Sequence, residues 1–191
     1  MHALIIPGSS TVFAFHGTGG DERQFARLVT DLWPRAGLVA PRGSVSEHGA
    51  NRFFRRTAEG VYDMADLEAR TDEMIAFVRS HRQPGMTAHA FGYSNGANIL
   101  AAMTFKSPDL FDGVALLHPL IPWTPARQPA LKDRPVLITG GRHDPICPLP
   151  LTEGLASYYR MQGADVSLHL HDGGHEIRPA EIDALRHAFE E

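Results

Sequence analysis

Short apolar runs alternate with helical stretches along the whole chain, and this alternation leaves few folds open. Residues 11–16, 37–40, 87–91, 113–118, 135–139 and 164–170 read as six strands. Most are continuously apolar, as strands covered on both faces are. Between and after them, residues 21–33, 64–81, 95–106, 151–162 and 179–190 read as helices. In the first, Phe25, Leu28, Val29 and Leu32 recur at helical spacing and Pro34 stops the run. In the second, Leu67, Met74, Ile75 and Val78 share one face, and Gln83-Pro84-Gly85 ends it. Apolar strands separated by helices imply an α/β fold with a mostly parallel sheet of about six to seven strands. Right-handed crossovers make such a sheet doubly wound, with its site in the loops at the carboxyl ends of the strands. At 191 residues the chain is expected to form a single domain spanning 1–191.

Charge narrows the classes of partner. Lys and Arg number 18 against 22 Asp and Glu, a formal net charge of −4. That balance argues against a nucleic-acid groove or a polybasic membrane surface. No apolar stretch approaches the roughly 18–20 residues of a membrane span, and residues 1–10 lack the basic start of a secretory leader. Cys147 is the only cysteine, so no disulfide can form within the chain. A cytoplasmic protein without stable membrane insertion is expected. Homodimerisation is left open.

The most informative local pattern is Gly92-Tyr93-Ser94-Asn95-Gly96, a G-x-S-x-G turn between a strand and a helix. There a serine is presented on a strained turn, above a helix N-terminus whose free N–H groups favour developing negative charge. The plainer reading of Ser94 is a helix N-cap. Gly17-Thr18-Gly19-Gly20 follows the first strand and His16. The backbone N–H groups of Thr18 and Asn95 are the expected oxyanion donors. A phosphate cradle is a poor fit, because no Lys-Ser/Thr follows the glycines.

A serine hydroxyl needs a base, and the base needs an acid to orient it. In this architecture they follow in the order serine, acid, histidine. Four histidines lie late enough. His169 and His171 read as strand residues and His187 as a helix residue. His175, after Asp172-Gly173-Gly174, sits in the loop following the last strand and is the expected base. Asp144 ends the fifth strand and is the expected acid; Asp172 is too close in sequence to His175. Asp144 before Pro145 also suits a plain turn. His169-x-His171 with Asp172 and His175 could suggest zinc, but no H-E-x-x-H pattern is present and no metal is expected. Cys147 reads as a small packed side chain.

These pieces together resemble the small α/β-hydrolases of the phospholipase/carboxylesterase family, which are related to acyl-protein thioesterases. The matching stretches are 15–20, 91–98, 140–148 and 173–176, in order over nearly the whole chain. Residues 51–56 and 59–63 look like a bacterial branch of carboxylesterases. The resemblance implies an α/β-hydrolase fold and ester hydrolysis without a cofactor, on a small-molecule ester substrate. About ten residues precede the first core strand, so the edge of the sheet is expected to be trimmed, and no large lid domain is inserted.

The segment 42–60 is long for a strand-to-helix connection. Phe53 and Phe54 could wall a pocket or be buried beneath the loop. Arg52, Arg55 and Arg56 could attract an anion or form a solvated face. Tyr93, Leu120 and Ile121 are further pocket candidates, with Trp123 nearby. His118 could touch substrate or be a satisfied structural histidine. The expectation is a serine hydrolase acting on small or medium acyl esters through an acyl-enzyme. An acyl-thioesterase with the same triad and a non-catalytic binder of small ligands are the alternatives.

Overall fold

In the computed structural model, which describes residues 1–189, the alternation becomes one seven-stranded sheet flanked by two small hairpins. The chain runs through β1 (Ala3–Ile6), β2 (Thr11–Phe15), α1 (Ala26–Leu32) and β3 (Gly37–Pro41). The hairpin strands β4 (Val45–Glu47), β5 (Ala50–Arg52), β6 (Arg56–Ala58) and β7 (Val61–Tyr62) follow, then α2 (Met64–His81). The second half holds β8 (Ala88–Tyr93), α3 (Asn95–Lys106), β9 (Gly113–Leu117), β10 (Pro135–Gly141), α4 (Leu149–Met161), β11 (Asp165–His171) and α5 (Pro179–Ala188). The sheet order is β1-β3-β2-β8-β9-β10-β11. Within this sheet, among the described residues, only β1 runs antiparallel, against β3; the sheet's other pairings are parallel.

Strand alternation divides the core into two layers. Phe13, Phe15, Ala90, Leu116 and Ile138 face one side with residues of α2, α3 and α4. Val12, Ala14, Leu38, Phe91, Leu117 and Leu137 face the other with Val29 of α1 and Leu185 of α5. The chain leaves β2 for β3 on one side and returns to β8 on the other. The carboxyl ends of β2 and β8 therefore flank the crevice where strand order reverses, the place such sheets keep for a ligand.

Three elements differ from expectation. The trimmed edge of the sheet holds one strand that the sequence reading does not pick out: β1 pairs Ala3 with Pro41 through Ile6 with Leu38. It is four residues long and Ile5 is exposed, so its pattern is too short to stand out. The segment 42–60 holds two hairpins rather than irregular chain. Glu47 pairs with Ala50 across His48-Gly49, both at positive φ (50° and 88°). That is the backbone of a type I′ turn, normally signalled by Asn-Gly; His48 in the first position conceals it. Helix α1 begins at Ala26 instead of residue 21, because the Asp21 carboxylate accepts the Arg23 N–H and holds a turn there. The expected end of the last helix at Glu190 lies outside the described residues; the helix is described to Ala188. Among the described residues, no helix is long and apolar enough to cross a membrane.

Phe53 and Phe54 do not wall a pocket. They are 1% and 0% exposed and pack edge-on against Phe15 and Tyr62 respectively. The hairpins carry them inward, where two large rings gain more from core burial than from a polar cleft. Phe53→Ala is expected to lower the unfolding free energy by about 3–5 kcal/mol in urea titration. A pocket-wall role would instead leave stability within about 1 kcal/mol of the wild type.

Candidate active site

Ser94 occupies the junction of β8 and α3 at φ 54°, ψ −118°, a conformation that costs a non-glycine residue. Its N–H donates to the Leu117 carbonyl at 2.9 Å, which ties the strained turn to the end of β9. The turn is possible only where strand and helix come very close. A Cβ on Gly92 would lie 2.4 Å from the Gly96 carbonyl oxygen, and one on Gly96 would lie 2.2 Å from that of Phe15. Glycine is required at both places, and α3 is thereby seated on the end of β2.

His175 reaches this serine from the loop after β11. Its Nε2 lies 2.9 Å from Ser94 Oγ and its Nδ1 lies 2.7 Å from Asp144 Oδ2. The His143 N–H donates to the Gly173 carbonyl at 2.9 Å, tying the acid loop to the histidine loop. Tyr93 donates its hydroxyl to the His175 carbonyl at 2.5 Å. Burial pushes the Tyr93 phenol up to about 12, so it remains a donor. The other oxygen of Asp144 accepts the N–H groups of Ile146 and Cys147, at 2.8 and 2.9 Å. Burial works against the Asp144 carboxylate, but these N–H groups with His175 and His118 hold it below the usual carboxylate range.

Thr18 and Asn95 come to the same cleft. Among the described residues, neither backbone N–H has a protein acceptor. Two side chains set the loop. His16 contacts the Gly17 carbonyl through Nδ1 at 2.7 Å and accepts the Gly43 N–H at Nε2. One donor and one acceptor are what a neutral imidazole offers, and burial lowers the His16 pKa accordingly. Arg52 donates to the Thr18 hydroxyl at 2.7 Å. The Asn95 side chain accepts the Phe53 N–H at 2.7 Å, which docks the hairpin segment on the Ser94 turn.

The cleft encloses about 270 Å³, lined by Ser94, His175, Thr18, Asn95, Tyr93, Leu120, Tyr62, Asn98, Ile146, Cys147, Arg52, Arg56 and Glu59. Tyr93 and Leu120 thus stand where sequence reading put them. Ile121 does not: the chain turns after Leu120, and Ile121 lies with Trp123 beside Leu155 and Tyr158, in a separate apolar depression. The arginines part company. Arg52 is buried at 3% exposure and Arg56 is paired with Glu47, while Arg55 points to Asp66 with its side chain 63% exposed.

Sequence reasoning missed Asn98 and Tyr62. Asn98 accepts the Leu120 N–H and donates to the Tyr62 hydroxyl, which donates to the Leu120 carbonyl at 2.8 Å. This closed set holds the apolar wall against α3. The available signal was spacing: Asn98 lies one turn after Ser94, on the same helix face. Of the two roles the sequence allows His118, the structure shows the buried one. It is 0% exposed, and both ring nitrogens face carboxylates.

Two groups bring metal-capable atoms within 4.8 Å of one another, His118 with Asp144 and His175, and His118 with His171 and Glu181. Both share His118, whose nitrogens each lie 3.0 Å from one carboxylate oxygen. Contacts of that length bridge through a proton; ligands around a tetrahedral zinc lie about 3.4 Å apart. The set weighed from sequence does not converge, since His169 lies along α5 beside Ala184 and His187.

Comparison with known proteins places this geometry among hydrolases. Residues 23–176 match the family model described as dienelactone hydrolase family. The chain is 38% identical over 186 residues to "Putative hydrolase MhqD" of Bacillus subtilis, covering 95% of this chain and 93% of that one. A Bacillus cereus carboxylesterase superposes with a TM-score of 0.89 at 32% identity, over 98% of this chain and 94% of its own. An Agrobacterium tumefaciens protein of unknown function superposes with a TM-score of 0.88 at 46% identity, over 97% and 93%. The resemblance to small bacterial esterases, and the α/β-hydrolase fold it implies, agree with these neighbours.

The seat of α3 yields a direct test. Gly96→Ala is expected to force the Ser94 turn off the end of β2. It should destabilise the fold by about 1–3 kcal/mol in urea titration and abolish most hydrolytic activity in the fraction that remains folded.

Proposed function

This chain belongs to the dienelactone hydrolase family, and from that premise we propose that it is a serine carboxylesterase acting on small acyl esters. The observation that carries the reading is the unbroken chain from Ser94 Oγ through His175 to Asp144, at 2.9 and 2.7 Å, opening into a cleft lined by Thr18 and Asn95, whose N–H groups have no acceptor among the described residues. Ser94 attacks the ester carbonyl while His175 Nε2 takes its proton. The Thr18 and Asn95 N–H groups receive the oxyanion. His175 then returns the proton to the departing alcohol, leaving Ser94 acylated. Water, activated by the same imidazole, releases the acid. Asp144 holds the imidazole with Nδ1 protonated and stabilises its cation. No cofactor is called for, because nucleophile, base and oxyanion donors all come from the chain.

Cys147 is no rival nucleophile. Burial pushes its thiol up, and its Sγ–H donates to the His118 carbonyl at 3.2 Å. A cleft of about 270 Å³ suits short acyl groups better than long ones. The buried reduced thiol and the small-molecule substrate fit a cytoplasmic setting.

The test is hydrolysis of para-nitrophenyl esters of increasing acyl length. Acetyl and butyryl esters are expected to turn over and dodecanoyl esters poorly. Ser94→Ala and His175→Ala should each lower kcat by about 10⁴-fold or more while melting like the wild type. Turnover confined to thioesters would move the assignment to an acyl-thioesterase. A wild type inert on both would overturn it.

A further inference from the structure

Asp144 serves a second histidine besides His175. Its Oδ2 lies 2.7 Å from His175 Nδ1 and 3.0 Å from His118 Nδ1. Behind His118 stands another buried carboxylate: His118 Nε2 lies 3.0 Å from Glu181 Oε1, and Glu181 is 2% exposed. Glu181 comes from the first turn of α5, and its place there is held by two further donors. The Thr139 hydroxyl donates to Oε1, and the Arg178 N–H donates to Oε2 at 2.7 Å. A hydrogen-bonded file thus runs from the half-buried Ser94 and His175 through the buried Asp144 and His118 to Glu181, across the carboxyl end of the sheet.

Hydrogen-bond bookkeeping sets the protonation of this file. A neutral imidazole has one donor and one acceptor. His118 presents both nitrogens to carboxylate oxygens, so each contact needs a proton. Asp144 is already the acceptor of two backbone N–H groups and of His175, and Glu181 is already the acceptor of Thr139 and Arg178. Ligands of that kind favour the ionised carboxylates and leave the proton on the ring. The residue cannot leave, either: His118 is 0% exposed, and its backbone N–H is tied to the Thr139 carbonyl at 3.0 Å. The ionisable groups packed around it are Tyr93 at the end of β8, Asp144 and Cys147 of the acid loop, His171 of β11, His175, and Glu181 of α5. His171 also faces the far carboxylate, with Nε2 3.1 Å from Glu181 Oε2. Burial alone disfavours a charged His118, yet the two carboxylates raise its pKa above the ordinary value, and His118 correspondingly draws the Glu181 carboxyl down against its own burial.

We propose that His118 is a positioning residue for the hydrolytic reaction: a protonated imidazolium that bridges Asp144 to Glu181, holds the Asp144 carboxylate on the His175 ring, and sets the pH at which the Ser94–His175 pair becomes competent. This rests on the serine-hydrolase reading above and deepens it. The direction of the effect follows from charge. With a cation 3.0 Å away, Asp144 bears on His175 with less than its full negative charge. The file titrates as a coupled unit, and a weaker negative field lets it give up its last proton at lower pH. Glu181→Gln keeps the shape and removes the charge. His118 then becomes neutral, donating Nδ1–H to Asp144 and accepting the Gln amide at Nε2. The full charge of Asp144 falls on His175, and the file binds its proton more tightly.

The experiment uses the full chain labelled with ¹⁵N-histidine, with His118→Asn to assign the ring signals. In the wild type both His118 nitrogens are expected to read as protonated from about pH 5 to 8, where an ordinary histidine titrates. In Glu181→Gln one nitrogen should lose its proton. The acid limb of kcat/KM should move up by about one pH unit in Glu181→Gln and in His118→Asn, a roughly tenfold loss below the limb, with the plateau changed far less. A merely structural role would lower the melting temperature or the plateau and leave the limb in place. An unprotonated His118 nitrogen at neutral pH in the wild type, or an unshifted limb in folded variants, would overturn the proposal. Should either variant not fold, the wild-type spectrum alone decides. Failure of the esterase reading looks different: the wild type would be inert on esters and thioesters, or Ser94→Ala would keep its turnover, whatever the state of His118.

Discussion

The close approach of α3 to the ends of β2 and β8 is the constraint on which the rest depends. Gly92 and Gly96 leave less than a methyl group's space between helix, strand and neighbouring carbonyls. That proximity throws Ser94 into a positive-φ turn and aims its hydroxyl out of the sheet. It also brings the loop after β2 beside the helix N-terminus, so that Thr18 and Asn95 line the same cleft as Ser94. Backbone strain of this kind persists only where surrounding contacts over-determine it. Here they include the Ser94 N–H on the Leu117 carbonyl and the Asn95 side chain on the Phe53 N–H.

Around that fixed point the polar groups are arranged in depth. Asp144, 6% exposed, would be costly as a lone buried charge. Four donors reach it, and one of them, His118, passes the charge on to Glu181. Behind His175 the cleft is thereby backed by a buried polar array, and α5, remote in sequence from the serine, becomes part of what orients Asp144.

Much of this was legible beforehand, because much of it is local. The strand–turn–helix context of Ser94 is written in glycines two places either side. His175 stood apart from its rivals because a glycine pair put it in a loop past the last strand. The aromatic pair Phe53-Phe54 was not legible. An exposed-looking loop gives no sign that its hairpins turn inward, and the His48-Gly49 turn lacks the residue that would have announced it. Ile121 failed for a related reason: one residue after Leu120 the chain changes direction, and neighbours in sequence face different cavities.

The order of elements, the doubly wound sheet and the identity of the serine, histidine and aspartate candidates were determined by the sequence itself, since periodicity and turn chemistry act over a few residues. The depth of the site was decided by tertiary structure. His118 and Glu181 are 63 positions apart, and no short-range pattern marks either as the other's partner. Only the packing of α5 across the ends of β9 and β10 brings a glutamate of its first turn to the nitrogen that Asp144 leaves free. Only burial then makes the proton they share a physical necessity.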